Sequence, residues 1–591
     1  MSSKWGFVVL LTSTVSVLGL GSAQTGEPYF KDKYKSADRY RPGGEHRGYP
    51  IEHEVPPWAS EYKRRPTDGT GLTPADVVGP DGIVYPNWSN VGVEGGIPQV
   101  KAVLDLAAMG AKPETDISEL LQRAAEQAGN NGGGAIQIGR GTFYLDKPVV
   151  IRHSRVVIRG AGRDATKLIF RFSIAHPDAK FPGGWPEPAV FTFQGGSLDG
   201  NERLLAADGK RGDTFLMLKD AGDLKVGDTF CLRAPVTRRW QAITRDTSKG
   251  EWGTRSNAYR IRSITGNRIE IGEALRIDFP VADGSNLRRM VPVEYCGLED
   301  FTLDHTCRMQ FHSVTSQWAW NCWVRRLTVL NSGKGGAHFN SAKRCEVRDC
   351  EFTGFDARVH RRGQNWWGYA GFTQSWDCLM ENTVWRRFRH GPQVQFGAQG
   401  NVIRKSVFEG SDAQWHAGWA TENLFENCVV TEDGTFGSYG HGAYSTGSND
   451  SIHGPEGPRN VVYNCCFTSS KDGFCNRGVN ENWLILHNRF VVANGAGYRA
   501  EGGSFDAIVR GNIFVLNNAA WPMVMLTTRD CTGTELIDNT VYGGNGELVV
   551  TEAPLALDRG NVAYPLSEKL PDRPMPKIPS IYEWQQERKT R

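Results

Sequence analysis

Three histidines, an arginine and a glutamate fall on one line when the chain is measured against its own repeats. Counting back eleven positions from Asp349, Asn427, Asn464, Asn488 and Asn512 lands on His338, His416, His453, Arg477 and Glu501. The coil around Lys405 is one residue off, and puts Gln395 in the same line when aligned on Phe396. The residue after each is apolar or small, as in Phe339, Ala417, Gly454 and Gly502. Strand alternation therefore turns those residues inward and the polar line outward. A one-residue slip would replace Arg477 and Glu501 by Asn476 and Arg499. Crowded basic groups push one another's pKa towards neutrality, which is what a general base needs. His416, His453, Arg477, His338 and Glu501 are accordingly the candidate catalytic groups.

Neighbouring segments add groups that would hold a charged ring. The stretch from Asp356 to Gly368 contains His360, Arg361, Arg362, Trp366 and Trp367, suited to stacking on and pairing with an acidic sugar. Arg389 and His390 precede the Gln395 strand, and Lys471 and Asp472 precede Arg477. The expected substrate-binding set is Gln395, Arg361, Trp366, Trp367, Arg389, His390, Lys471 and Arg499.

These residues need a repeating scaffold to bring them together. From 296 to about 543 a motif recurs in which an aliphatic residue and a polar pair lead into an apolar strand end. Examples are Val347-Arg-Asp-Cys-Glu-Phe, Phe425-Glu-Asn-Cys-Val-Val and Ile537-Asp-Asn-Thr-Val-Tyr. Its polar positions run from 24 residues apart (Asn488 to Asn512) to 45 (Asn382 to Asn427), as in solenoid coils with variable loops. Asp349, Asn382, Asn427, Asn464, Asn488, Asn512 and Asn539 read as one structural asparagine column, since stacked amides bond each other and Asn tolerates a left-handed turn.

Upstream, Asp116 to Gln127 predicts a helix with Ile117, Leu120, Leu121 and Ala124 on one face, Asp116 as N-cap and Glu119 closing a capping box. The run GGGAIQIGRGTFYLDKPVVI and then VVIRGAGRDATKLIF follow. This order resembles the opening of pectate-lyase-like right-handed parallel β-helices, in which such a helix caps the solenoid. The resemblance implies an all-β solenoid and a superfamily that includes lyases, hydrolases, epimerases and phage tailspikes. It also implies, for the lyases, a Lys or Arg base often assisted by Ca²⁺. Of the polygalacturonase-type motifs only Gly440-His-Gly is present; the paired aspartates are not.

The expected organisation is a signal peptide (1–23), an extended leader (24–100), the capping helix with the first coils (101–172), a small antiparallel β-rich insertion (173–290), the main β-helix (291–545) and a C-terminal tail (546–591). The insertion is expected to wall one side of a cleft. Lys4, the apolar run from Trp5 to Leu20 and Gly21-Ser-Ala predict export. Nothing after cleavage is long and apolar enough to span a bilayer. The chain of 591 residues carries 68 basic and 65 acidic residues, a net charge of +3, so no overall field points to nucleic acid. Eighteen tryptophans suit sugar stacking as well as plain core packing. Of twelve cysteines, Cys296, Cys322, Cys345 and Cys378 share one repeat position, which suits stacked buried thiols as well as bridges, and no disulfide is assigned.

The expectation is a secreted, monomeric enzyme acting on a polysaccharide, anionic by the basic groups that would bind it. β-Elimination from a uronic acid fits the histidines and arginine. Hydrolysis, through Glu501 with Asp472 or Asp412 with Glu422, is the first alternative, and a non-catalytic carbohydrate-binding β-helix the second. No cofactor is assigned; Ca²⁺ stays open without a carboxylate cluster to hold it.

Overall fold

Strand residues with apolar side chains at every second position need a partner on each edge and a core on one face. A winding chain supplies both. In the computed structural model, three β-faces per turn wind into a parallel solenoid. The structure describes the pairs Glu45–His46 and Tyr49–Pro50, and residues 71–171, 189–244, 255–306, 311–354, 368–416, 418–432, 438–446, 455–477, 480–501, 503–528, 531–570 and 575–590. The signal peptide, His453, Arg361, Trp366 and Trp367 lie outside the described residues.

A 12-stranded parallel sheet runs from Val149–Ile151 to Val549–Thr551, and a 25-stranded sheet makes the other two faces. The core between them is a stack of rings and aliphatic residues: Phe339 on Phe372, and Trp415 between Phe425 and Phe474 at 4.5 and 5.6 Å. Helix α1 (Ser118–Asn130) caps the first coil with Leu121, Ala124, Ala125 and Ala128 buried. Its N-terminus departs from the expected capping box. Asp116 accepts from the Ser118 N–H and hydroxyl, and Glu119 reaches out to Lys147 instead. A salt bridge to a neighbouring coil has displaced the local reciprocal bond.

The expected single asparagine column is two. Asp349, Asn382, Lys405, Asn427, Asn464, His487, Gly511 and Asp538 occupy one left-handed turn position, with φ from 46° to 65°. Asn488, Asn512 and Asn539 lie one residue further on, pointing inward, because Cys466 pairs with Arg489 and so Cys465 stacks on Asn488. There the side chain of each coil accepts the backbone N–H of the coil before it: Cys465 to Asn488 at 2.9 Å, Asn488 to Asn512 at 2.8 Å, Asn512 to Asn539 at 3.0 Å. A second inward ladder does the same with sulfur and then amide, from Cys296 through Cys322, Cys345 and Cys378 to Asn401, Asn423 and Asn460. Cys322, Cys345 and Cys378 are thus free, buried acceptors, while Cys296, also free and buried, starts the ladder with its N–H. Each ladder bond satisfies a turn N–H that would otherwise be orphaned in the core, worth about 1–3 kcal/mol.

Solenoid strands fall outside the expected boundaries at two places. Ala189–Gln194 belongs to the 12-stranded sheet although it lies within 173–290, and coil stacking continues to Val562–Tyr564, beyond 545. Between Arg203 and Met290 the chain builds two antiparallel sheets with their own apolar core. Its helix α2 (Arg238–Thr244) places Trp240 in a T-shaped contact with Trp419, 4.5 Å away, with the Arg255 guanidinium 3.6 Å from the centre of the Trp240 ring. Trp419 follows the strand that ends at Trp415, so the insertion stands along one margin of the 12-stranded face.

A buried ion cluster fastens leader and insertion to the coils. Arg211 pairs with Asp76 and Glu422 (2.7 Å each), Arg276 with Glu422 (3.0 Å) and Asp377, and Lys343 with Asp377 (2.6 Å). Helix α3 (Ile581–Thr590) packs on the same flank, where Gln585 accepts the Trp88 N–H. Among the described residues no helix is long and apolar enough to cross a membrane.

Candidate active site on the 12-stranded face

The outer face of the 12-stranded sheet carries polar side chains in two adjacent columns. One contains Thr315, His338, Gly371, Gln393, Gln414, Tyr444, Cys475 and Arg499. The other contains Asn340, Thr373 and Gln395, then His416, Thr446, Arg477 and Glu501, each one residue beyond a paired position. Gln395, His416, Arg477 and Glu501 therefore share a column as expected. His338 does not; it sits in the parallel column, two residues back along its strand. Thr446 holds the position next after His416.

Hydrogen bonds join the two columns. The Thr373 hydroxyl lies 2.7 Å from His338 Nε2 and accepts from Gln395 Nε2 at 2.7 Å. Gln395 Oε1 accepts from Gln393 Nε2 at 2.9 Å and faces His416 Nδ1 at 2.7 Å. A carboxamide oxygen only accepts, so His416 must carry its proton on Nδ1, which leaves the ring's basic lone pair on Nε2. Gln395 is thus a positioning residue for His416. His338 stacks on the buried His312, ring centroids 4.8 Å apart, at the upstream end.

Beside this network, at the starts of the same strands and in the turn after them, a belt of rings joins the expected His390 to Tyr369, Tyr439 and Tyr444, which the sequence did not reveal. His390 sits between the rings of Tyr369 and Tyr439, at 5.7 and 5.8 Å, and 5.9 Å from His416. Tyr439 meets Tyr444 at 5.0 Å, and Tyr444 stacks on His441 at 5.3 Å. His390 Nδ1 lies 2.5 Å from the carboxylate of Asp412, both fully buried. Burial pushes the Asp412 carboxyl up to about 7, against the lowering influence of the Tyr439 N–H, Arg389 and His441. Arg389 donates to the Tyr439 hydroxyl at 3.1 Å, and Arg477 to the Tyr444 hydroxyl at 2.5 Å. Strand alternation at Ala443-Tyr-Ser, with two small inward residues flanking an outward ring, was the available signal for Tyr444.

Arginines hold the carboxylates of the face. Arg499 Nε lies 2.7 Å from Glu501 and its Nη1 4.0 Å from Asp472; Arg477 Nε lies 3.5 Å from Glu501. Burial alone would raise the Asp472 carboxyl, but His441, 3.2 Å away, and Arg499 outweigh it and hold it below the usual range. Lys471 is exposed in the turn before Asp472. Glu422 belongs to the buried ion cluster, bound by Arg211 and Arg276, so the Asp412–Glu422 pairing is not a site.

His441, Asp472 and Cys475 place one donor atom each within 4.8 Å of one another. Ca²⁺ takes six to eight oxygen ligands, and this group offers one carboxylate beside two guanidinium groups. Burial, with the charges of Glu501 and Asp472, also pushes the Cys475 thiol up. The residues do not fit Ca²⁺.

No protein-family model matches the chain, and no curated relative matches its sequence. Among solved structures it is similar to the tailspike gp61 of Pseudomonas phage phi297, at 14% identity over 80% of this chain and 78% of that one, with a TM-score of 0.53. Weaker similarities are to the gp54 tailspike of Acinetobacter baumannii bacteriophage AP22, solved with a capsular saccharide (11%; 78% and 77%; TM-score 0.44), and to the A-module of Azotobacter vinelandii mannuronan C-5 epimerase AlgE6 (13%; 78% and 100%; TM-score 0.42). At 14% identity the phi297 comparison speaks to architecture alone, and on that it agrees with the sheets described above: the chain is a right-handed parallel β-helix.

Proposed function

We propose that this face binds an anionic, uronate-containing polysaccharide and cleaves it by β-elimination, in a secreted enzyme. The reading is carried by the His416–Gln395 contact, which puts a ring proton on Nδ1 and so assigns the role of base to Nε2, beside a face rich in arginine. His416 takes the C5 proton. Arg477 neutralises the uronate carboxylate that acidifies this proton, while Tyr444, polarised by Arg477, lies in the adjacent column as donor to the leaving oxygen. The electron pair of the C5–H bond forms the C4–C5 double bond as the C4–O bond breaks. No metal enters the step.

A hydrolase needs two carboxyl groups flanking the bond, one of them kept protonated. Asp472 and Glu501 are both tied to Arg499, and Asp472 is held below the usual carboxylate range. One observation keeps hydrolysis as the second reading: Asp412 has the raised carboxyl such an acid needs, although it is buried against His390. Incubation with polygalacturonate, alginate, hyaluronan and neutral glucans separates the cases. New reducing ends with the ultraviolet absorbance of an unsaturated uronate mean elimination. Ends without absorbance mean hydrolysis, and binding without new ends means a carbohydrate-binding protein.

A further inference from the structure

The turns that precede the strands of the 12-stranded face form a continuous margin. It carries His441, then Lys471 and Asp472, and continues through Asn494 and Trp521 towards the C-terminal end. Coil-to-coil bonds mark the steps: the Ala496 N–H to Asp472 (2.8 Å), Asn518 and Trp521 side chains to Asn494 (2.9 Å each), and the Asn545 N–H to the Trp521 carbonyl (3.0 Å). At roughly 4.8 Å per coil, the last turns lie on the order of 10–20 Å beyond Asp472.

There the margin opens into a cleft of about 400 Å³ between three successive turns, lined by Leu516, Asn517, Gly544, Asn545, Tyr564 and Leu566 among others. That volume falls within the ~300–1,000 Å³ of small-ligand clefts. Gly543, Gly544 and Gly546, all at positive φ, make the middle turn without side chains over the opening. Tyr564 stacks on Tyr542, 5.4 Å away and tilted by 23°, and is 43% exposed. It stands on Val562–Tyr564, the last solenoid strand among the described residues, and no later described coil stacks on its ring. Among the described residues, no acidic, basic or histidine side chain lines the cleft. This contrasts sharply with the arginine-rich face upstream.

We infer that this cleft is a second, neutral sugar subsite, in which a hexopyranose lays its apolar face on Tyr564 while the cleft's amide and backbone groups meet its hydroxyls. The aromatic face attracts the partly positive axial C–H groups of the ring, and the uncharged lining avoids the cost of burying an ion with an uncharged ligand. The inference rests on the polysaccharide reading above and adds to it. The recognised polymer would carry uncharged residues besides its uronates, with a neutral ring held four to six coils beyond His416.

Saturation-transfer NMR on the full chain with methyl β-glucopyranoside, methyl α-mannopyranoside and methyl α-galactopyranoside tests it. Wild type is expected to saturate the ring protons of at least one. Tyr564→Ala, and independently Ala519→Gln, which fills the cleft from an exposed position, should each cut that transfer at least threefold. His416→Ala should leave it unchanged. Absence of transfer from all three sugars overturns the inference, as does transfer that survives both variants. So does displacement of the sugars by an apolar dye, which would mark a protein-docking surface. Because the readout needs no cleavage, it stands or falls separately from the elimination assay.

Discussion

His416 Nδ1 faces the Oε1 of Gln395 across 2.7 Å, from one coil of the solenoid to the one before it. Gln395 is itself fixed by Thr373 on the preceding coil and by Gln393 on its own strand. The tautomer of the imidazole is therefore set by stacking register, and register is what a β-helix controls best.

Gln395→Leu should lower kcat on a cleavable uronate polymer by about 10–100-fold, a part of the ~10²–10⁴ that a positioned base contributes. Gln395→Glu makes a sharper test. A carboxylate at that position stabilises the imidazolium, so the acidic limb of the kcat/KM profile should move to higher pH. An unmoved limb would mean that His416 is not the titrating base.

Asp412 links the site to stability. Its folded carboxyl titrates near 7, well above the unfolded value of about 4. Between those values the folded state holds the extra proton, so stability falls as pH rises from about 4 to about 7, by at most about 4 kcal/mol. Asp412→Asn cannot ionise. Thermal unfolding of the two proteins should show the variant gaining on wild type across this window and running parallel above it; parallel curves throughout would refute the assignment.

The inward ladders predict a substitution pattern. Asn423→Ala orphans the Asn401 N–H in the core and should cost about 1–3 kcal/mol in urea unfolding. Asn423→Cys should recover part of that, because Cys322, Cys345 and Cys378 fill the same column with a sulfur acceptor. Equal losses from Ala and Cys would argue against the acceptor role.

The solenoid was legible because its period is written in side-chain alternation and turn residues. The ladder slip at Asn488 was legible too, had the core ring been the reference: Phe467 lies three residues after Asn464, whereas Phe490 lies two after Asn488. Arg477 and Glu501 nevertheless landed in the His416 column, because the connection from each strand changed length by the same one residue and the two offsets cancelled. His338 had no such compensation. Tyr369, His390 and Asp412 pair in register at the starts of successive strands, but a bulge between His390 and Gln393 shifts them against the Gln395 column, and Tyr439 reaches His390 from a turn; spacing encodes neither. The same holds for the ion cluster, whose partners Asp76, Arg211 and Glu422 lie far apart along the chain.

The most direct measurement is the ratio of unsaturated uronate ends to new reducing ends, followed over time with wild type and His416→Ala on whichever uronate polymer of the panel is cut. Elimination predicts one unsaturated end for every reducing end in wild type, and a loss of about 10²-fold or more of both in the variant. Reducing ends without unsaturation, or wild-type rates in His416→Ala, would contradict the account.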